Sequence, residues 1–144
     1  MSADNVFSIC NIIAMLGWIV LVFIPMWNSS DKFIAGIIVT LFAVIYTYYI
    51  VANINAIDLK SFSTLKGVTN LFTNPLAVLI GWVHYLAFDL MTGIFIRKNG
   101  IKYGISHWLL VPCYLLTFMF GPIGLLFYFL TRWAYTKQYF ADNY

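Results

Sequence analysis

Four runs of this sequence are long, apolar and nearly free of charge, and a chain built that way has few folds open to it. They lie at about residues 6–26, 33–52, 75–96 and 105–133. Roughly 20 apolar residues wound as a helix cross the hydrocarbon core of a bilayer. Hydrophobic residues make up 62% of the chain and charged ones 9%, against about 25% charged in an ordinary soluble domain. So few charges could not cover a water-facing surface. The expectation is an all-α integral membrane protein, a four-helix bundle forming a single transmembrane domain over residues 1–144.

The first run ends near Pro25 and Trp27 and lacks the short core and small-residue cleavage site of a signal peptide, so it reads as a mature span. The second follows the turn Asn28-Ser29-Ser30-Asp31, where Ser30 or Asp31 can cap it. The third has Asn74 as its cap and Pro75 at the first helical position. The fourth is long and carries Pro112 and Gly121-Pro122, and a kink is expected at each. Between the second and third runs, Phe62, Leu65, Val68 and Phe72 share one helical face, with Ser63, Lys66, Gly67 and Asn70 mostly off it. That predicts a short helix lying in the interface, as a surface anchor or as a lid over a site between the helices. Four spans put both termini on one side. Lys60, Lys66, Arg132 and Lys137 then face Lys32, Arg97, Lys98 and Lys102. The counts tie, so the positive-inside rule gives no orientation.

Several functions are excluded by what the chain lacks. It has no glutamate; its acids are Asp4, Asp31, Asp58, Asp89 and Asp142, and its histidines are His84 and His107. A ferritin-like di-iron site needs several Glu and paired Glu-x-x-His motifs. Zinc needs three or four converging ligands, and these His, Asp and Cys are widely spread, so no metal is expected. Cys10 and Cys113 sit in apolar runs and act as small hydrophobes. No Gly-rich nucleotide loop is present, so no cofactor is expected. The net charge of +3 is scattered and gives no support to nucleic-acid binding. The partners expected are membrane lipids and a hydrophobic small molecule. Gly17, Gly36 and Gly93 allow close helix contacts without a tandem GxxxG, which leaves an oligomer open.

Asp89 stands in the middle of the third run. An ionised carboxylate at bilayer depth costs a few kcal/mol or more, and such groups are functional by default. At about 100° per residue it shares a helix face with Trp82, Tyr85, Thr92 and Gly93, while His84 lies roughly 140° away beside Ile80, Phe88, Met91 and Phe95. The two could border one cavity or touch different helices. On the fourth run His107, Val111, Tyr114, Phe118, Gly121, Leu125 and Arg132 form one stripe. Counting along the helices puts Asp89 level with Pro112 to Tyr114 and His84 level with Thr117 and Phe118. His107 falls near one rim with Arg97 and Lys102, and Arg132 at the opposite rim with Asn11, Asn53 and Asn74. Desolvation favours a neutral carboxyl, which is a proton donor to an apolar substrate, and a neutral imidazole at His84 could accept a proton. The candidate catalytic pair is Asp89 and His84; the plainer reading of Asp89 is a packing residue bonded to Tyr, Trp or Thr. Trp82, Tyr85, Tyr114 and Thr117 are candidate ligand walls. His107, Arg97 and Arg132 are candidates for a ligand's polar end, though arginines also snorkel to the interface.

The stretch Asn74-Pro75-Leu76-Ala77-Val78-Leu79-Ile80-Gly81-Trp82-Val83-His84-Tyr85-Leu86-Ala87-Phe88-Asp89-Leu90 resembles the abscisic-acid-deficient-four-like family. So do Gly104-Ile105-Ser106-His107-Trp108 and the segment from Pro112 through Gly121-Pro122-Ile123-Gly124-Leu125-Leu126. The resemblance implies a carotenoid-related membrane protein, because the plant members are chloroplast proteins required to make neoxanthin. There are departures. Ile94 and Phe95 follow Gly93 where many members carry Arg then Trp, and the turn Arg97-Lys98-Asn99-Gly100 is basic where acidic residues are common. A short chain without a transit peptide points to a bacterial inner membrane.

Forming neoxanthin from violaxanthin is an isomerisation: an epoxide oxygen is protonated, a C–O bond opens, and a neighbouring carbon loses a proton. No electrons are exchanged, and one acid and one base in a dry pocket suffice. The resemblance therefore implies a xanthophyll isomerase, and the residues suggest protonated Asp89 as its acid and His84 as its base. The alternatives are a carotenoid- or isoprenoid-lipid-binding protein without catalysis, and a proton-coupled transporter or assembly subunit using both residues as a relay.

Overall fold

Three of the six α-helices among the described residues begin where the sequence supplies a side-chain partner for an unpaired first-turn N–H. The computed structural model describes residues 2–24, 27, 29–54 and 59–139, and these fold as helices joined by short turns. Helix α1 covers Ala3–Phe23, capped by the Ser2 hydroxyl, which accepts from the Asn5 N–H at 3.3 Å. Helix α2 covers Ser30–Ala52. Its Ile34–Val39 stretch is a π turn, and the Thr40 hydroxyl donates back to the Ala35 carbonyl at 3.0 Å. Ser29 occupies its capping position without a side-chain bond, so neither Ser30 nor Asp31 is the cap the sequence suggests. Ser30 is buried in the first turn, and Asp31 is turned to Arg97.

A 3-10 turn over Leu59–Ser63 leads into the short α3, Leu65–Leu71, capped by Thr64. A helix is therefore present where the 62–72 pattern predicts one, and Phe62, Leu65 and Phe72 are exposed on it and beside it. Helix α4, Pro75–Lys102, has 28 residues and is about 42 Å long. The Asn74 side chain accepts from the Leu76 N–H at 2.9 Å, and Pro75 stands in the first turn. The helix passes its expected end near Ile96 because Arg97, Asn99 and Gly100 are buried against neighbouring segments rather than lost to a solvated turn.

Helices α1, α2 and α4 are each long and apolar enough to cross a membrane. Helix α1 runs parallel to α4: Phe7 meets Trp82, Gly17 meets Leu90, and Trp18 and Leu21 meet Gly93. A Cβ at Gly93 would stand 2.8 Å from Leu21, so the bare backbone is what lets the two helices close. Helix α2 runs antiparallel to α4, with Asp31 at Arg97 and Tyr46 at His84. Cys10, Leu21, Ile34, Phe42 and Leu90 fill the core between the three.

The last segment departs most from expectation. The sequence predicts one kinked span over about 105–133; the chain instead makes two helices that fold back on each other. Helix α5 covers His107–Phe120 and helix α6 covers Pro122–Thr136. Between them Gly121 takes φ 50° and ψ −95°, a conformation strained for any residue with a side chain. Gly124 then lies so close to the Thr117 backbone that a Cβ would collide with it. At the far end the Tyr135 hydroxyl donates to the Gly104 carbonyl at 3.1 Å, a contact no through-running helix could make. With 14 and 15 residues, each arm measures about 21–22 Å, short of a hydrocarbon core of about 30 Å. Pro112 lies inside α5 without ending it.

The hairpin returns residues 135–139 to the end of the molecule that holds residues 97–107. The beginning and end of the described chain therefore lie at opposite ends. Arg132, expected near Asn11, Asn53 and Asn74, sits beside Asn99 instead. Lys60 and Lys66 lie at the α3 end. Lys32, Arg97, Lys98, Lys102, Arg132 and Lys137 lie at the other, basic end. The sequence's four-against-four tie becomes two against six.

Candidate functional site

Asp89 stands about 21 Å along α4 from Pro75, near the middle of the helix, and the hairpin tip arrives at the same level. Thirteen residues separate Asp89 from Lys102, and fourteen separate Gly121 from His107. Two antiparallel helices leaving the same end therefore bring these residues abreast. The expected level, Pro112 to Tyr114, falls short because α4 continues past Ile96 before turning. A Cβ at Gly121 would stand 2.9 Å from Asp89 Oδ1 and 3.6 Å from the Tyr85 ring, so only a glycine lets the turn seat on the carboxyl. Asp89 is 8% exposed, and its Oδ2 is buried with no hydrogen-bond partner among the described residues. Tyr85, one turn earlier, brings its hydroxyl into interaction with the same carboxyl. Helix α6 begins at this spot without a side-chain cap, so the positive end of its dipole lies at the level of Asp89. A buried oxygen without a partner costs about 1–3 kcal/mol, a cost that a ligand donating to Oδ2 would relieve.

Trp82 continues the site toward the α3 end. Its indole N–H donates to the Asn11 side-chain oxygen at 2.9 Å, and its ring lies 5.4 Å from Phe7 and 5.5 Å from Tyr85. Asp89, Tyr85 and Trp82 are thus brought together, as their shared helix face predicts. His84 is not among them. It is exposed, its ring stacked on Phe88 at 4.5 Å and 5.7 Å from Tyr46 of α2. The sequence left open whether the two candidate acid–base residues share a cavity; packing turns them to different helices.

Of the other candidates, His107, Arg97 and Arg132 lie at the basic end, Tyr114 packs against His107, and Thr117 lies near the hairpin tip. His107 Nε2 donates to the Val22 carbonyl at 2.9 Å, and its ring is 5.8 Å from that of the fully buried Tyr114. Arg97 donates to Asp31 at 2.8 Å and to the Trp27 carbonyl at 3.3 Å. Arg132, 3% exposed, donates to the Asn99 side chain at 2.8 Å and to the Tyr139 carbonyl at 3.2 Å. Its guanidinium lies 5.1 Å from the Phe129 ring centroid. Thr117 is enclosed in the hairpin, and its hydroxyl donates to the Cys113 carbonyl at 2.8 Å. Sequence reasoning missed Asn99, which accepts from Tyr128 at 2.5 Å as well as from Arg132; it stood in a stretch that looked like a solvated turn. It also passed over Asn11, whose signal was a lone amide inside an apolar run at the depth of Trp82. Among the described residues no three His, Cys or Asp side chains group as metal ligands.

Comparison with protein families finds one that fits this chain: ABA4-like, described as ABA DEFICIENT 4-like, matches over residues 5–128. No curated protein and no solved structure matches it significantly.

Proposed function

The chain belongs to the ABA DEFICIENT 4-like family, and on that premise we propose that it is a carotenoid-related membrane protein that isomerises an oxygenated carotenoid by acid–base chemistry at Asp89. The observation that carries this reading is the Oδ2 of Asp89, buried without a partner at the middle of α4. A neutral carboxyl there would deliver its proton to an epoxide oxygen. As the C–O bond opens, the electron pair stays on oxygen and the positive charge falls on carbon. Loss of a proton from the neighbouring carbon then forms the new double bond. Proton donor and acceptor balance, and no electrons are exchanged. The carboxylate left by the first step is the nearest base to the second, since His84 is stacked on Phe88 away from Asp89. His84 then serves as an outer wall toward α2. The α6 amino-terminal end would steady the carboxylate between the two steps.

The test is turnover of violaxanthin by the purified protein in nanodiscs. Asp89→Asn should lose at least about 10²-fold in rate, the scale of general acid–base catalysis, with its thermal midpoint close to the parent's. Parental turnover by that variant would end the assignment. A second reading, a carotenoid-binding protein without catalysis, draws on the same unpaired oxygen as a hydrogen-bonding anchor; a parent that retains the pigment and never converts it would favour that.

The six cations of the basic end favour a cytoplasmic position for it under the positive-inside rule, which would set α3 at the opposite interface. A reporter fused after Tyr144 should be active in the cytoplasm and one fused before Met1 outside it. Both reporters on one side would mean that the last segment crosses fully.

A further inference from the structure

We infer that the half of the bundle left unfilled by the hairpin is a binding crevice for one elongated apolar molecule, which buries an oxygen-bearing end against Asp89. The class of probe used below rests on the proposed function; the crevice is read from packing alone.

The hairpin covers only the basic half of α1 and α4. There Trp18 packs on Phe118 at 5.7 Å, and the Val22 carbonyl meets His107. The stripe of α1 that carries Val22 and Trp18 continues at helical spacing through Asn11 to Phe7. The stripe of α4 that carries Asp89 continues through Tyr85 and Trp82 to Val78. Beyond Gly121 no helix among the described residues covers these stripes, and Phe7, Trp82 and Val78 are exposed. From Asp89 to the level of Pro75 the open strip runs about 21 Å. Its outer end is continuous with a cavity of about 330 Å³ lined by Ala3, Phe7, Phe72, Pro75, Val78 and Leu79, so the segment after α3 overhangs the mouth.

Three features set this strip apart from a plain lipid-facing surface. Phe7, Trp82 and Tyr85 form a continuous row of rings, a wall that favours a flat conjugated chain over a flexible acyl one. The Asn11–Trp82 hydrogen bond fixes the central ring. Just beneath the surface at the closed end lie the unpaired Asp89 oxygen, the Tyr85 hydroxyl and the uncapped start of α6. A hydroxyl could donate to that oxygen, and an epoxide or hydroxyl oxygen could accept from a neutral Asp89.

The experiment titrates the full chain in phosphatidylcholine nanodiscs with violaxanthin and with β-carotene, a hydrocarbon polyene without oxygen, and reads pigment retained per chain after gel filtration. Violaxanthin should saturate at one per chain, and β-carotene should bind about tenfold more weakly for want of the hydrogen bond. Trp82→Ala and Phe7→Ala should each weaken violaxanthin binding by up to about tenfold, with Tyr48→Ala, on the exposed face of α2, unchanged. Thermal scans identify any variant that fails to fold, and Trp82→Phe replaces it in that case, with a smaller loss expected. Parental binding by both crevice variants would overturn the location. Equal retention of both pigments would overturn the buried-oxygen pose. Unsaturable uptake would mean that bilayer lipid alone fills the strip, and the inference would fall. A parent that binds violaxanthin in the crevice but never converts it would sink the proposed catalysis and leave the crevice standing.

Discussion

The two halves of the bundle are held together by different kinds of contact. At the basic end, side chains bond groups on distant segments: Arg97 to the Asp31 side chain, Arg132 and Tyr128 to the Asn99 side chain, Tyr135 to the Gly104 carbonyl, His107 to the Val22 carbonyl. Toward α3 the packing along α1 and α4 is apolar, with buried Val6, Cys10, Leu79 and Val83 behind a row of rings and the Asn11–Trp82 bond. Buried polar bonds select one geometry, since each group left unpaired costs about 1–3 kcal/mol. Ring contacts are worth about 0.5–1.5 kcal/mol and tolerate more than one arrangement. One half is therefore locked and the other adaptable, and Asp89 lies on the seam, with a fixed turn on one side and an adaptable wall on the other. Its buried Oδ2 is reached by a ligand only as the adaptable wall yields.

The strongest way to break this contrast is to open the locked half. Gly124→Leu would drive a side chain into the Thr117 backbone, and overpacking that cannot relax costs about 3 kcal/mol or more. A large fall in thermal midpoint in detergent, or no folded protein, is expected; a parental midpoint would mean the arms are not packed as described. A paired comparison sharpens the contrast at smaller scale. Asn99→Leu removes the acceptor shared by Tyr128 and Arg132 and should cost about 2–3 kcal/mol, whereas Trp82→Phe, on the exposed row, should cost less than about 1 kcal/mol. Equal losses in denaturant unfolding would erase the distinction between the halves.

Much of the fold was legible because its causes are local. Asn74-Pro75 starts α4 through a side-chain bond to the next turn, and the 62–72 pattern announced a helix that forms at Leu65–Leu71. Asp89 could be singled out because burying a carboxyl is costly whatever surrounds it. The candidate ligand face of Trp82, Tyr85 and Asp89 followed from helical periodicity alone.

What the sequence determined by itself, then, is an all-helical chain of four apolar runs, the first three of which form long helices, with one carboxyl set deep in the third. Only the tertiary structure decided that the last segment turns back at Gly121, that the turn seats on Asp89, that His84 faces α2 and that Arg132 joins Asn99. A Gly-Pro pair serves a kink and a reversal equally well, and local preference does not separate them. The choice lies in contacts between residues far apart in the chain, Gly124 on Thr117 and Tyr135 on Gly104, whose energy exists only once the arms have met.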